Sequence, residues 1–425
     1  MRKMKDSGIE WIGEIPEDWE CLKAKQIFKQ RNSKGNVVEV QLAATQKFGM
    51  YPQNLLEGVV QVKEDTDLQQ FKTVHKNDYV ISLRSFQGGF EMSDYEGVCS
   101  PAYQVFYNTR QIEYKYFKYL FKCDGFISKM NSLTVGIREG KNIQYKDFAE
   151  SFLPVPSLTS QLSLITFLDR KCSEIDSTIS KTRESIEEYK KLKQSIITEV
   201  VTGNVKIENG KVCGKYDIYK DSGIEWIGEI PSEWDCFYLS QIFSPVKNKN
   251  IGMQETNLLS LSYGKIIRKN IETTFGLLPE NFEGYNIIEG DNIVLRLTDL
   301  QNDHKSLRVG LVTEKGIITS AYLTLKNKTN MSSNYFYYLL HSFDIAKGFY
   351  GMGAGVRQGL NWNEIRSLRI ISPKESFDQQ QISDFLDKKC SEIDNLITKK
   401  EQLVVELEAY KKSLIYEVVT GKRSV

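Results

Sequence analysis

Histidine is nearly missing: His75, His304 and His341 are the three in 425 residues. Scattered as they are, they offer neither a metal site nor a histidine acid–base pair. The seven cysteines are odd in number and contain no CxxC pair. That argues against a disulfide frame or a zinc site, and they read as buried thiols of a reduced cytoplasm. No run approaches the roughly 18–20 uninterrupted apolar residues of a membrane span, and the opening MRKMKDSGIEW lacks the apolar stretch of a signal peptide. A cytoplasmic protein without a membrane partner is the expectation. Walker A is absent, as is the Asn- or Asp-Pro-Pro-aromatic run of amino-methyltransferases. GMGAG at Gly351–Gly355 follows a helical rather than a strand pattern, which makes it a turn. Nothing here points to an enzyme, or to a cofactor or metal on this chain.

Charge of one sign is also lacking, with 56 basic residues against 55 acidic ones. The whole-chain balance neither proposes nor excludes a nucleic-acid partner, so local patches matter. Two long central stretches, 20–150 and 235–366, carry only a small basic excess, a poor basis for tight DNA binding by this chain alone.

What the sequence does contain is a tandem duplication. KDSGIEWIGEIP at Lys5–Pro16 recurs unchanged at Lys220–Pro231. FLDRKCSEID from Phe167 is answered by FLDKKCSEID from Phe385, and both copies run on to EVVTG, at Glu199–Gly203 and Glu417–Gly421. Between these anchors the copies diverge, yet echoes keep the register: SPAY (Ser100–Tyr103) with TSAY (Thr319–Tyr322), YFKYL (Tyr116–Leu120) with YFYYL (Tyr335–Leu339), and GIREGKN (Gly136–Asn142) with GVRQGLN (Gly355–Asn361). Two like frames thus hold two unlike inserts. That arrangement suits two copies of one partner and two different targets, whereas idle drift would have eroded the anchors too.

The second anchor of each copy is helical. Leu168, Cys172, Ile175, Ile179, Thr182, Ile186, Tyr189, Lys193, Ile196 and Val200 alternate steps of four and three, the seam of a heptad pattern. The other copy gives Leu386, Cys390, Ile393, Ile397, Lys400, Val404, Leu407, Lys411, Leu414 and Val418. Prolines precede each helix (Pro154 and Pro156; Pro373) and a glycine ends it (Gly203; Gly421). Neither rod buries its stripe alone, so the two are expected to pair as an antiparallel coiled coil. The seam lysines Lys193, Lys400 and Lys411 either snorkel at a wet edge or face a partner.

Each insert begins with apolar and aromatic residues, including Trp19 and Trp234, which read as core anchors. β-rich runs follow at 37–43, 79–83 and 103–106, and at 258–261, 292–297 and 321–325, closed by helices over 114–130 and 334–346. The fold class is α+β. Loops hold side chains suited to DNA: arginine for guanine, asparagine or glutamine for adenine, lysine for phosphate. In the first insert these are Gln46, Lys47, Arg84, Gln87, Arg138, Lys141, Asn142 and Gln144. In the second they are Lys265, Arg268, Lys269, Asn270, Arg296, Asp299, Asn302, Arg357, Gln358 and Asn361. Each also reads as a solvated surface residue, and Arg138 and Arg357, in matching G-[IV]-R-x-G motifs, either fix the loop or touch phosphate.

Four features together carry a resemblance. They are the W-I-G-E-I-P-x-x-W segments (Trp11–Trp19, Trp226–Trp234), the glycine-flanked loop after YFxYL, the P-x-P run followed by Gln161, and the heptad helix ending in EVVTG. With them, almost the whole chain resembles the specificity subunits of type I restriction-modification systems. The second copy departs from the pattern at SPKESFDQQQ, which lacks the proline pair. The resemblance implies two target-recognition domains, 1–156 and 205–374, each reading half of an asymmetric bipartite site in double-stranded DNA. Helical spacers 157–204 and 375–425 would set the spacing and dock two modification subunits that methylate adenine N6. S-adenosylmethionine, ATP and Mg would reside on partner subunits, the restriction subunits among them. The rival expectations are a coiled-coil scaffold and a stand-alone DNA-binding protein without methyltransferase partners.

Overall fold

The computed structural model describes residues 2–34, 40–56, 68–82, 89–133, 143–271, 281–352 and 359–425. In chain order the first half forms β1 (Met4–Ile9), β2 (Gly13–Pro16), β3 (Glu20–Lys23), β4 (Phe28–Arg31), β5 (Leu42–Thr45), β6 (Gly49–Pro52), β7 (Lys72–Val74), β8 (Tyr79–Ile81), β9 (Phe90–Met92), β10 (Gly97–Cys99) and β11 (Gln104–Asn108). Helices α1 (Tyr114–Leu120), α2 (Asp124–Ser132) and α3 (Tyr145–Ala149) come next, then β12 (Phe152–Val155) and the 44-residue α4 (Leu158–Val201). The second half contributes β13 (Ile207–Glu208), β14 (Lys211–Val212), β15 (Tyr219–Asp221), β16 (Glu229–Pro231), β17 (Trp234–Tyr238), α5 (Leu239–Ile242), β18 (Phe243–Pro245), β19 (Leu259–Ser262), β20 (Lys265–Arg268), β21 (Asn286–Ile288), β22 (Ile293–Leu295), β23 (Val309–Leu311), β24 (Gly316–Ile318) and β25 (Leu323–Asn327). It closes with α6 (Ser333–Ile345), α7 (Trp362–Ile365), β26 (Arg369–Pro373) and the 44-residue α8 (Ser376–Val419).

The chain divides into two compact units: Met1–Arg183 with Gln402–Val425, and Glu184–Glu401. The first is built on a four-stranded antiparallel sheet of order β4-β11-β8-β9, the second on one of order β18-β25-β22-β23. Alternation along the strands sends successive side chains to opposite faces. Tyr79, Ile81 and Phe106 therefore join the main core of the first unit, while Val80 and Val105 enter a smaller core behind the sheet. Ile293 and Leu295 against Val294 repeat this division in the second. The α+β class follows, with both sheet faces covered.

Differences from the sequence reading have local causes. The helix expected over 114–130 breaks at Cys123, whose extended backbone (φ −75°, ψ 141°) starts α2 afresh. The break brings Gly125 so close to Trp11 that an added Cβ would lie 2.5 Å from the indole. Helices α4 and α8 start just after Pro156 and Pro373, as the prolines led one to expect, and a buried glutamine organises each first turn. Gln161 donates to the Pro156 carbonyl (2.8 Å) and accepts from the Glu113 amide (2.9 Å). Gln379 does the same with Pro373 (2.9 Å) and Ser332 (2.8 Å), so SPKESFDQQQ keeps this device without the second proline.

Every seam position named above is buried or half-buried. In the first unit Lys411 Nζ lies 2.6 Å from Asp176, and Arg183 meets Glu408. In the second, Lys193 Nζ lies 2.7 Å from Asp394, and Lys400 lies over the Tyr189 ring. Residue numbers rise along one helix as they fall along the other, so the pair is antiparallel within each unit. The seam lysines thus reach carboxylate or aromatic partners on the facing helix.

Both helices end in the same way. Gly203 (φ +79°) and Gly421 (φ +74°) adopt the left-handed conformation, and a Cβ there would fall 2.4 Å from Pro231 and 2.3 Å from Pro16. The Tyr116 hydroxyl donates to the Val419 carbonyl (2.9 Å), as Tyr335 does to Val201 (3.1 Å). Trp19 and Trp234 are buried against these tyrosines, as core anchors.

Candidate nucleic-acid interface

In the second unit three candidate segments come together. β19 and β20 form a hairpin turned by Tyr263 (φ +46°) and Gly264 (φ +77°), two consecutive positive values that suit the right-handed strand twist. The hairpin tip abuts the loop between β22 and β23, since a Cβ on Gly264 would lie 3.1 Å from Leu307 Cβ. The segment around Asn361 joins the same loop through the Leu360 amide, which donates to the Leu297 carbonyl (2.8 Å).

Several candidates are already engaged. Arg268 donates from Nε to both Glu314 oxygens (2.8 and 2.9 Å), and the carboxylate holds the guanidinium above its ordinary pKa. Lys265 lies 3.6 Å from Asp394, and Arg296 lies 3.6 Å from Asp303. Asp303 is held down to about 2 by the hydroxyl and amide of Ser306, with Arg308 adding to the effect. Asn302 donates to Asp299 (2.8 Å), itself in the left-handed region at φ +57°. Asn361 caps α7, accepting from the Asn363 amide (2.9 Å). Lys269 and Asn270 are exposed just beyond β20. Arg357 and Gln358 lie outside the described residues.

In the first unit Gln46 and Lys47 occupy the exposed turn between β5 and β6, with the Lys47 ammonium 4.9 Å from the Phe48 ring centre. This hairpin packs on β9, where a Cβ on Gly49 would strike the Met92 carbonyl at 2.5 Å. Gln144 is exposed at the start of α3. Arg84, Gln87, Arg138, Lys141 and Asn142 lie outside the described residues.

The sequence reading missed the aromatic side chains at the hairpin tips and one buried arginine. Phe48 is 45% exposed and packs at a tilt against Tyr51, which in turn meets Tyr95 edge-on (5.0 and 5.5 Å); Tyr263 is 76% exposed. Both tips therefore offer an aromatic face beside a lysine, a pairing suited to bases and phosphates. An aromatic residue next to glycine between two strands was the available signal. Arg308, buried at the base of the β22–β23 loop, gave none.

Among the described residues no three His, Cys, Asp or Glu side chains cluster as metal ligands, and no helix is long and apolar enough to cross a membrane. Burial, reinforced by the Lys193 ammonium, pushes His341 down to about 4, away from acid–base work near neutrality.

No family model matches the chain. The MjaVIII type I restriction enzyme specificity subunit of Methanocaldococcus jannaschii is 22% identical over 430 residues, covering 96% of this chain and 93% of the relative. A specificity subunit assigned to the MjaX type I enzyme of the same archaeon is 22% identical over 443 residues, covering 97% and 95%. End to end, the chain is similar to type I restriction enzyme specificity subunits. Solved structures agree on the fold. A chain from a study of assembly and conformational transition in a type I restriction-modification system superposes with a TM-score of 0.69 at 11% identity, covering 96% of this chain and 99% of that one. The HsdS subunit from Thermoanaerobacter tengcongensis gives 0.53 at 13% identity, covering 96% and 98%.

Proposed function

We propose that this chain is the non-catalytic, cytoplasmic specificity subunit of a type I restriction-modification complex. Each unit reads one half of an asymmetric bipartite DNA site. One observation carries the reading: two units with the same strand order present different loops and hairpin tips at equivalent places. A common frame with unlike reading surfaces suits two unlike half-sites better than a scaffold holding two copies of one ligand.

On this reading α4 and α8 form one continuous antiparallel coiled coil that fixes the spacing and docks two adenine-N6 methyltransferase subunits. Those partners, together with restriction subunits, supply S-adenosylmethionine, ATP and Mg chemistry. The near-neutral charge of the chain fits a reader that relies on partners to hold the phosphate backbone.

The test is to replace residues 205–374 with the corresponding segment of a different specificity subunit and map methylated adenines across genomic DNA. One half of the modified sequence should change while the other persists. Change in both halves, or in neither, would refute the assignment.

A further inference from the structure

Arg308 is 0% exposed, and among the described residues no carboxylate lies within ion-pair distance of its guanidinium. It is turned instead upon a single loop. Nη1 donates to the carbonyls of Arg296 (3.0 Å) and Thr298 (2.8 Å), and Nη2 to those of Asp299 (3.4 Å) and Asp303. Nε donates to the Tyr350 hydroxyl (3.0 Å), which in turn donates to the Asp303 carbonyl (3.0 Å). The Arg308 amide is held by the buried Asp344 carboxylate (2.7 Å).

A buried guanidinium is costly unless its donors are satisfied, and here they are spent on fixing backbone. Both limbs of the loop, 296–299 and 303, are tied to one rigid planar group. Leu297 and Leu300 anchor the loop in the core, while Gln301, Asn302, His304 and Lys305 stay exposed. His304 stacks on Tyr350 (5.1 Å between ring centres), and Lys347 holds the His304 carbonyl (2.7 Å). An immobilised backbone carrying amide and basic side chains outward is a preorganised recognition element, which loses little freedom on binding.

Among the described residues the first unit has no arginine at the matching place. Leu295 pairs with Val309 as Ile81 pairs with Phe90, so the residue matching Arg308 in the first unit is Gly89.

We propose that Arg308 is a positioning residue for base recognition: by gathering four carbonyls it fixes the loop 298–305 and so sets the specificity of the second half-site without touching DNA. The inference rests on the DNA-reading function proposed above.

The full chain, produced with its modification subunits, would carry Arg308→Lys, Arg308→Met or Tyr350→Phe, and adenine methylation would be mapped genome-wide. Lysine keeps the charge but lacks the planar fork. Tyr350→Phe removes one hydroxyl from this hydrogen-bond network and is the variant that decides if the arginine changes prevent folding. The expected result is relaxed sequence choice in the half-site read by the second unit, with a tenfold or greater fall in cognate preference at one or more positions. The other half-site should be unchanged. A role in stability alone would lower methylation at every site and leave the motif intact, and that outcome in the folded variants overturns the proposal. An unaltered chain that directs no bipartite methylation overturns the function itself, and this inference with it.

Discussion

Lys193 of α4 holds Asp394 of α8 with its ammonium 2.7 and 2.8 Å from the two carboxylate oxygens. In the other unit the helices exchange roles, and Lys411 of α8 holds Asp176 of α4 at 2.7 and 2.6 Å. Each pair places a cation in a largely apolar seam, where it selects a register as well as a partner. Reversing one charge, Lys193→Asp, should set two carboxylates together and cost about 1–2 kcal/mol. Adding Asp394→Lys should restore part of the loss. Urea unfolding of both single variants and the double variant measures the coupling, and strict additivity would deny the pair any role.

Gln161 and Gln379 should matter more than surface glutamines. Replacing either with leucine leaves a buried carbonyl and a half-buried amide without their partner, the former worth about 1–3 kcal/mol. Calorimetry of Gln161→Leu and Gln379→Leu should show lowered stability in both, while Gln380→Leu at an exposed neighbouring position should show almost none.

His341 makes stability depend on acid. Its folded pKa, near 4, lies below the ordinary 6.5, so between these values the unfolded chain takes up a proton that the folded one refuses. The neutral imidazole therefore contributes fully above about pH 6.5, and the contribution is lost as pH falls toward 4. The total is on the order of 3 kcal/mol. His341→Gln should flatten the stability curve across that window, as read by denaturant titration at a series of pH values.

Lengthening both long helices tests the proposed spacing role. One extra heptad in α4 after Arg183 and one in α8 after Glu401 keep the seam in phase and add roughly 10 Å of helix. The methylated site should gain about three base pairs of spacer at about 3.4 Å each, with both half-sites unaltered. An unchanged spacer would remove the helices from that role.

Periodicity made much of this legible. The steps of four and three from Leu168 to Val200 identified a buried face, and the proline and glycine positions marked where the helix that carries it would start and end. What periodicity does not encode is which residue on the other helix stands opposite, so the lysine–aspartate crossings were unreadable. Arg268 looked available for guanine because Glu314, its partner, lies 46 residues away in sequence. Arg308 was invisible for a different reason: its partners are mostly backbone carbonyls, which every residue possesses and no sequence pattern distinguishes.

The first unit draws its core from both Met1–Arg183 and Gln402–Val425, whereas the second is one continuous stretch. During synthesis, then, the part made earliest must wait. Until residues 402–425 have been translated, Tyr116 lacks the Val419 carbonyl and the cluster that holds Leu168 to Ile179 lacks Val404, Leu414 and Val418, while Glu184–Glu401 already holds the residues of its own core. A nascent chain should therefore mature out of numerical order, and its early apolar stripe is the surface a chaperone would meet.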